Sequence, residues 1–151
     1  MHEMTMIWGI LADAFFILLL GWCSVSDIRK RQIPNRAILL ILIVGILNAF
    51  VCTAAGQIWW YYPAGLIIGF PFILSWLNNK MGAGDAKLML VCGLFQGLPA
   101  ALISAGLMLI ILFGITIYLL FTGRNLKTKI PLGPVIAFSC AATIVGTFFI
   151  R

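Results

Sequence analysis

The sequence predicts an all-α, polytopic membrane protein, a helical bundle of about six transmembrane helices with both termini outside. Three observations favour this fold class. Of the 151 residues, 63% are hydrophobic and only 9% are charged, whereas soluble domains carry roughly 25% charged residues. The apolar residues form runs long enough to cross a bilayer, and the basic residues gather between these runs. At this length we expect one integral membrane domain, residues 1–151.

The first three apolar runs each end at a break in the hydrophobic pattern. Residues 4–24 form the first run, which ends at the charged segment SDIRKRQIPNR. Because this run has no basic n-region and no small-residue cleavage site, we interpret it as a retained helix and not as a signal peptide. Residues 37–55 form the second run, and residues 63–77 form a shorter third run.

The uncharged segment 88–123 is too long for a single span. Its 36 residues would make a helix of about 54 Å, against a hydrocarbon core of about 30 Å. The sequence Gln96-Gly97-Leu98-Pro99 predicts a turn, so a short fourth helix ends near Gly97 and a fifth runs from about 100 to 122. After the basic loop GRNLKTKIP, residues 133–150 form the sixth span.

The basic residues predict the orientation of these spans. Nine of the ten fall on one side, namely Arg29, Lys30, Arg31, Arg36, Lys80, Lys87, Arg124, Lys127 and Lys129, with only Arg151 opposite. By the positive-inside rule this side of the multi-pass protein is cytoplasmic. We therefore interpret the net charge of +6 as a topology signal. Nucleic-acid binding is not expected, because these charges lie at helix ends without a separate soluble module.

Two of the four acidic residues are placed at the same cytoplasmic end of the bundle. Asp27 closes the first span and Asp85 opens the fourth. Charged side chains at membrane depth usually face a bundle interior or water, so the pair predicts a shared polar cavity. Asp13 lies about 21 Å from Asp27 along the first helix. It is expected in the outer half, in a structural hydrogen bond or an outer-facing polar contact.

The stretch NKMGAGDAKLML, residues 79–90, predicts how deep that cavity lies. From Asp85 to Gly97 the fourth helix measures about 20 Å, less than the core of about 30 Å. The Asp85 end is therefore expected to be recessed from the cytoplasmic surface. Gly82 and Gly84 would permit positive φ and close backbone approach there, and Asp85 could cap the free N–H groups of the helix.

The sequence leaves a structural and a chemical interpretation of the two aspartates open. Asp27 could merely offset Arg29 and Lys30, and Asp85 could be an N-cap near Lys87. Alternatively, two nearby carboxyl groups share one proton and titrate as a pair. The ionised member can then take a proton from a water that attacks a carbonyl. The protonated member can hydrogen-bond the carbonyl oxygen and later help to expel the amine.

The chain has few residues that could support another catalytic mechanism or bind a metal. The single histidine, His2, is placed on the outer side, which disfavours Ser-His and Cys-His catalysis. The four cysteines, interpreted as small buried hydrophobes, form no CxxC pair; they are Cys23, Cys52, Cys92 and Cys140. Since no further ligands cluster with the aspartates, neither a metal nor a cofactor is expected.

Three segments resemble the motifs of type IV prepilin peptidases, in the order expected for that family. Met81-Gly82-Ala83-Gly84-Asp85-Ala86-Lys87-Leu88 looks like the GxGD motif. Asp27-Ile28-Arg29, followed by Ile33-Pro34-Asn35, resembles the other aspartate motif. Ile130-Pro131-Leu132-Gly133-Pro134 is similar to the late proline–glycine motif before the last helix. A GxGD sequence alone is a weak signal, but the three motifs on six spans cover essentially the whole peptidase domain.

The resemblance implies an intramembrane aspartyl endopeptidase. It would remove the basic leader peptide from prepilin-like substrates, which are prepilins and pseudopilins, at the cytoplasmic membrane face. Asp27 and Asp85 would be the catalytic pair, and Gly82 and Gly84 would shape the approach of Asp85. Lys87 matches the family's pattern but its role stays open, and an exposed cation at the pocket edge is the simpler interpretation. The implied partners are these substrates and the lipid bilayer, whereas the oligomeric state stays open.

The chain departs from the longer family members in one respect. Those members carry an amino-terminal segment with paired CxxC motifs and also N-methylate the new terminus. Because no CxxC occurs here, we expect no N-methyltransferase activity. The short form resembles the peptidases that serve Flp/Tad-type pili, with an archaeal preflagellin peptidase as a related alternative.

The residues themselves also fit a different class of protein. In a small transporter or channel, Asp27 and Asp85 would be proton or cation sites. A membrane assembly subunit with structural charges is a further alternative. The set of three motifs favours the peptidase over both.

Overall fold

The computed structural model describes residues 2–79, 81–122 and 131–150, which fold into a bundle of six α-helices without any strand. The helices are α1 (His2–Lys30), α2 (Asn35–Ala54), α3 (Tyr61–Leu77), α4 (Ala83–Gln96), α5 (Leu98–Phe121) and α6 (Leu132–Ile150). By length and composition α1, α2 and α5 can cross a membrane, and α3 and α6 are shorter apolar helices. The prediction of an all-α membrane bundle is confirmed.

Several residues used in the sequence argument lie outside the described residues. They include five of the basic residues behind the predicted orientation, namely Lys80, Arg124, Lys127, Lys129 and Arg151, as well as Ile130 of the proline–glycine motif. The orientation of the chain in the membrane therefore stays a prediction.

Helix α1 continues beyond the end of its apolar run. It reaches Lys30, so Asp27 lies within its last turn and does not follow it. Polar and charged residues are acceptable in a helix where it leaves lipid. The helix stops at Arg31, which has φ of 50° and whose N–H donates to the carbonyl oxygen of Asp27 at 2.8 Å. A left-handed residue of this kind is a common helix end, and Pro34 prevents continuation.

The predicted turn between the fourth and fifth helices is present. Gly97 joins α4 to α5 with φ of 74°, a backbone angle that glycine adopts without steric cost. Gln96, however, is buried and not exposed in the turn. Its Nε2 donates to the carbonyl oxygen of Cys140 at 3.1 Å, and its Oε1 accepts from Ser104 Oγ at 2.8 Å. This polar side chain therefore connects α4 to both α5 and α6.

Helix α4 is the central helix of the bundle, with α2, α3, α5 and α6 packed around it. Residues 91–97 are all buried. Its contact with α3 is between backbones, because a Cβ on Gly65 would overlap the carbonyl oxygen of Gly93, and the reverse holds as well. Phe16 of α1 stacks on Phe95 with ring centroids 4.0 Å apart. A helix covered in this way does not need the length of a lipid-exposed span.

The cysteines contribute to this core. Cys23, Cys92 and Cys140 are buried, as expected for small hydrophobes, whereas Cys52 is half-buried. Cys52 Sγ donates to Asn48 Oδ1 at 3.6 Å.

Candidate active site

A pocket of about 410 Å³ lies where the end of α1, the segment after it and the start of α4 meet. The residues that line it include all five that the sequence singled out: Asp27, Gly82, Gly84, Asp85 and Lys87. Arg31, Gln32, Ile33, Asn35 and Ala83 complete the lining. The structure thus brings together two carboxyl groups that are far apart in the sequence.

The carboxyl group of Asp27 is held by the start of α6. Asp27 is only 7% exposed, and the backbone N–H of Gly133 donates to its Oδ2 at 2.9 Å. A Cβ on Gly133 would lie 2.8 Å from both the Cβ and the Oδ2 of Asp27, so glycine is needed for this approach. In the sequence Gly133 stands out only as part of the proline–glycine motif, and nothing there connects it to Asp27.

Pairing of Asp27 with the neighbouring basic residues does not fit this geometry. Arg29 and Lys30 are both exposed, whereas the Asp27 carboxyl group faces inward to the Gly133 N–H. The interpretation that Asp27 merely offsets these two cations is therefore not supported by its contacts.

Asp85 does not cap α4. The N-cap residue is Gly82, with φ of −69° and ψ of 141°, and no side chain caps the helix. An N-cap at Asp85 would require the helix to begin at Ala86, but it begins at Ala83. Asp85 therefore lies within the first turn, where it lines the pocket. Its Oδ1 is buried and has no hydrogen-bond partner among the residues that the structure describes. Because a buried oxygen without a donor is costly, this carboxyl group contributes little to stability and is suited to binding or chemistry.

The two motif glycines provide space and not an unusual backbone angle. Neither has a positive φ, so this part of the expectation is wrong, but the close approach is present. A Cβ on Gly82 would lie 2.9 Å from Asp85 Oδ2, and one on Gly84 would lie 3.1 Å from the Cβ of Ile33. Gly82 thus leaves room for the Asp85 carboxyl group, and Gly84 lets α4 approach the segment after α1.

Two cations share the pocket with the aspartates. Lys87 of α4 and Arg31, which follows α1, both line the pocket and are both exposed. Arg31, Gln32 and Asn35 were not singled out as site residues, although they belong to the segment that contains the first aspartate motif. These three residues could have been recognised in the sequence from their position close to Asp27.

Asp13 lies apart from this site. It lines a second pocket of about 200 Å³ between α1 and α6, together with Ile10, Ala14, Ile17, Ile144, Val145 and Phe148. No residue is shared between the two pockets, so the structure keeps Asp13 away from Asp27 and Asp85.

Fold and site together define a helical membrane protein with a pocket that holds two aspartates at one end of its bundle. The family model of the type IV leader peptidase family matches residues 14–150. The chain therefore belongs to the type IV leader peptidase family, and this membership implies a peptidase that acts on a protein substrate. Comparison with curated proteins and with solved structures found no significant match.

Proposed function

We propose that this chain is an intramembrane aspartyl endopeptidase that removes the basic leader of type IV prepilin-like proteins at the cytoplasmic face of the inner membrane. It would act as one membrane domain, residues 1–151, without a metal or cofactor and without N-methyltransferase activity. One observation carries the proposal: Asp27 and Asp85 line the same pocket in a member of the leader peptidase family.

The two carboxyl groups supply the chemistry that amide hydrolysis needs. With one proton between them, one can accept a proton from the attacking water while the other hydrogen-bonds the scissile carbonyl oxygen. A proton then passes to the nitrogen, the C–N bond breaks, and the products are a carboxyl terminus on the leader and a new amino terminus on the pilin. The burial of Asp27 favours this reaction, because low solvent access strengthens these interactions.

The position of the pocket supports a substrate with a basic leader followed by an apolar helix. All the described basic residues lie at the pocket end of the bundle, namely Arg29, Lys30, Arg31, Arg36 and Lys87, which agrees with a cytoplasmic pocket. Since Arg31 and Lys87 repel a basic leader, the leader would extend away from the pocket toward anionic headgroups. The apolar helix would lie in lipid beside the bundle.

A transporter would need a polar path that continues from the pocket through the bundle. Beyond Asp85, α4 presents Leu88, Met89 and Val91, which are all buried and apolar. This apolar segment separates Asp85 from the buried polar Gln96 further along α4, which favours a site that is open to one side of the membrane.

The proposal is tested by reconstituting the purified protein in liposomes with a prepilin-like substrate. Mass spectrometry of the substrate is expected to show loss of the leader as one fragment and no methyl group on the new terminus. A proton gradient across the same liposomes is expected to dissipate no faster than across protein-free liposomes. Proton flux without cleavage would support the transporter instead.

The variant Gly82→Ala is expected to lower leader cleavage while the fold is kept. Its methyl group would lie 2.9 Å from Asp85 Oδ2 and would displace that carboxyl group. A misplacement of about 1 Å in an active site can reduce the rate by about 100-fold, so we expect a loss of about 10- to 100-fold. Replacing glycine by alanine at an N-cap should cost about 1 kcal/mol or less. The rate of leader cleavage and the thermal unfolding midpoint check the two expectations.

The matched control is Gly114→Ala in α5, where a Cβ would meet nothing within 4 Å. This variant should cleave at the native rate. Native cleavage by Gly82→Ala would mean that the space beside the Asp85 carboxyl group has no importance for the reaction.

A further inference from the structure

We propose that the Gly133 N–H holds Asp27 as the ionised member of the pair, and that Asp85 carries the shared proton. This inference rests on the proposed aspartyl peptidase function and deepens it by assigning separate roles to the two carboxyl groups. Gly133 is then a positioning residue that acts through Asp27.

The surroundings of Asp27 favour its ionised form. The Gly133 N–H donates to Oδ2 at 2.9 Å, and a hydrogen bond from an N–H group stabilises a carboxylate more than a neutral carboxyl group. Gly133 lies in the first turn of α6, where the unpaired N–H groups of a helix carry partial positive charge. Asp27 is only 7% exposed, so burial by itself disfavours its charge, and the hydrogen bond from Gly133 offsets this cost.

The surroundings of Asp85 favour its protonated form. Its Oδ1 is buried and receives no hydrogen bond from the described residues, and a charge buried without a donor is disfavoured. Asp85 also lies in the first turn of a helix, α4, so helix dipoles act on both aspartates and do not distinguish them. The direct hydrogen bond from Gly133 does distinguish them.

The other charged groups at the pocket do not reverse this difference. Arg31 follows α1 and Lys87 belongs to α4, and both are exposed and therefore screened by water. The start of α2 contributes the neutral Asn35. From α6 the described contact is the backbone N–H of Gly133.

The assignment gives a balanced reaction. The free oxygen of Asp27 takes a proton from water, the water oxygen bonds to the carbonyl carbon, and Asp85 gives its proton to the carbonyl oxygen. Asp27 then gives its newly acquired proton to the leaving nitrogen as the C–N bond breaks. Asp85 takes back a proton from a hydroxyl of the tetrahedral intermediate. The pair returns to its starting state with Asp27 ionised and Asp85 protonated.

The low number of acidic residues makes the assignment measurable. The chain contains three aspartates, Asp13, Asp27 and Asp85, so full-length protein labelled with ¹³C at the aspartate carboxyl carbon gives three signals in a lipid bilayer. Loss of one signal in each single Asp→Asn variant assigns it. In the native protein at neutral pH, the Asp27 signal is expected at the position of a carboxylate and the Asp85 signal at that of a protonated carboxyl group. Two ionised groups, two protonated groups or the reverse order would overturn the assignment.

The variant Gly133→Ala tests the positioning role. Its methyl group would lie 2.8 Å from Asp27 Oδ2 and would separate the carboxyl group from the N–H. We expect the Asp27 signal to move toward the protonated position, together with a shift of the pH–rate profile for leader cleavage. Gly146→Ala, on the same helix with nothing within 4 Å of the new Cβ, should change neither. An unmoved Asp27 signal in Gly133→Ala would overturn the role of Gly133.

The experiments distinguish an error in the proposed peptidase function from an error in the roles assigned to the two aspartates. If Asp27→Asn and Asp85→Asn still cleave the leader, the aspartyl peptidase function itself is wrong. If both variants lose cleavage but the native signals do not show one ionised and one protonated group as assigned, only the division of roles is wrong.

Discussion

The variants Asp27→Asn and Asp85→Asn are each expected to reduce leader cleavage by at least about 10²- to 10⁴-fold, the usual contribution of a general acid or base. Asparagine keeps the shape of aspartate but cannot exchange the proton that the reaction needs. In the native protein the Gly133 N–H donates to Asp27 Oδ2. The amide oxygen of Asp27→Asn can still accept this hydrogen bond, so the fold should be preserved. Co-expression with a prepilin-like substrate, followed by immunoblotting of precursor and mature forms, measures the effect.

The matched control is Asp13→Asn, which changes the aspartate of the second pocket. It should process the substrate at the native rate, because its pocket shares no residue with the active site. Processing by Asp27→Asn or Asp85→Asn would reject the catalytic pair, and failure of Asp13→Asn would mean that the second pocket also contributes to the reaction.

The variant Gly65→Ala is expected to have the largest effect on stability. Its methyl group would overlap the carbonyl oxygen of Gly93, so α3 and α4 would have to move apart. Helices in lipid associate through close packing at small residues, without the hydrophobic effect that operates in water. Since overpacking costs about 1–3 kcal/mol or more, we expect a loss at the upper end of that range. Thermal unfolding in detergent, followed by circular dichroism, measures it.

Gly106→Ala in α5 is the control for this second prediction. A Cβ there would meet nothing within 4 Å, and alanine is the better helix former by about 1 kcal/mol. The control should therefore unfold at the native temperature or slightly above it. If Gly65→Ala unfolds together with the control, the contact between the backbones of α3 and α4 is not important for the fold.

The sequence was informative about features that depend on local composition. Span lengths and turn residues predicted six helices, and the Gly97 turn lies where Gln96-Gly97-Leu98-Pro99 indicated it. The placement of Asp27 and Asp85 at one end of the bundle followed from counting spans. The pocket that both residues line has that location.

Features that depend on long-range packing could not be predicted from local composition. The contact between Asp27 and Gly133 joins residues 106 positions apart and involves a backbone N–H, which leaves no trace in side-chain chemistry. The N-cap interpretation of Asp85 failed because helix ends depend on how the chain enters from the preceding segment. In α4 that entry is at Gly82. The end of α1 was placed too early, since hydropathy marks the end of lipid contact and not the end of the helix.

The backbone contact between α3 and α4 has a mechanical consequence. With no side chain between Gly65 and Gly93, the backbones of the two helices are in direct contact, and Asp85 is carried by a closely packed helix. Asp27 is joined instead to α6 through Gly133. The distance between the two acids therefore depends on how α1 and α6 pack on α4, which the stack of Phe16 on Phe95 and the hydrogen bond from Gln96 to Cys140 hold in place.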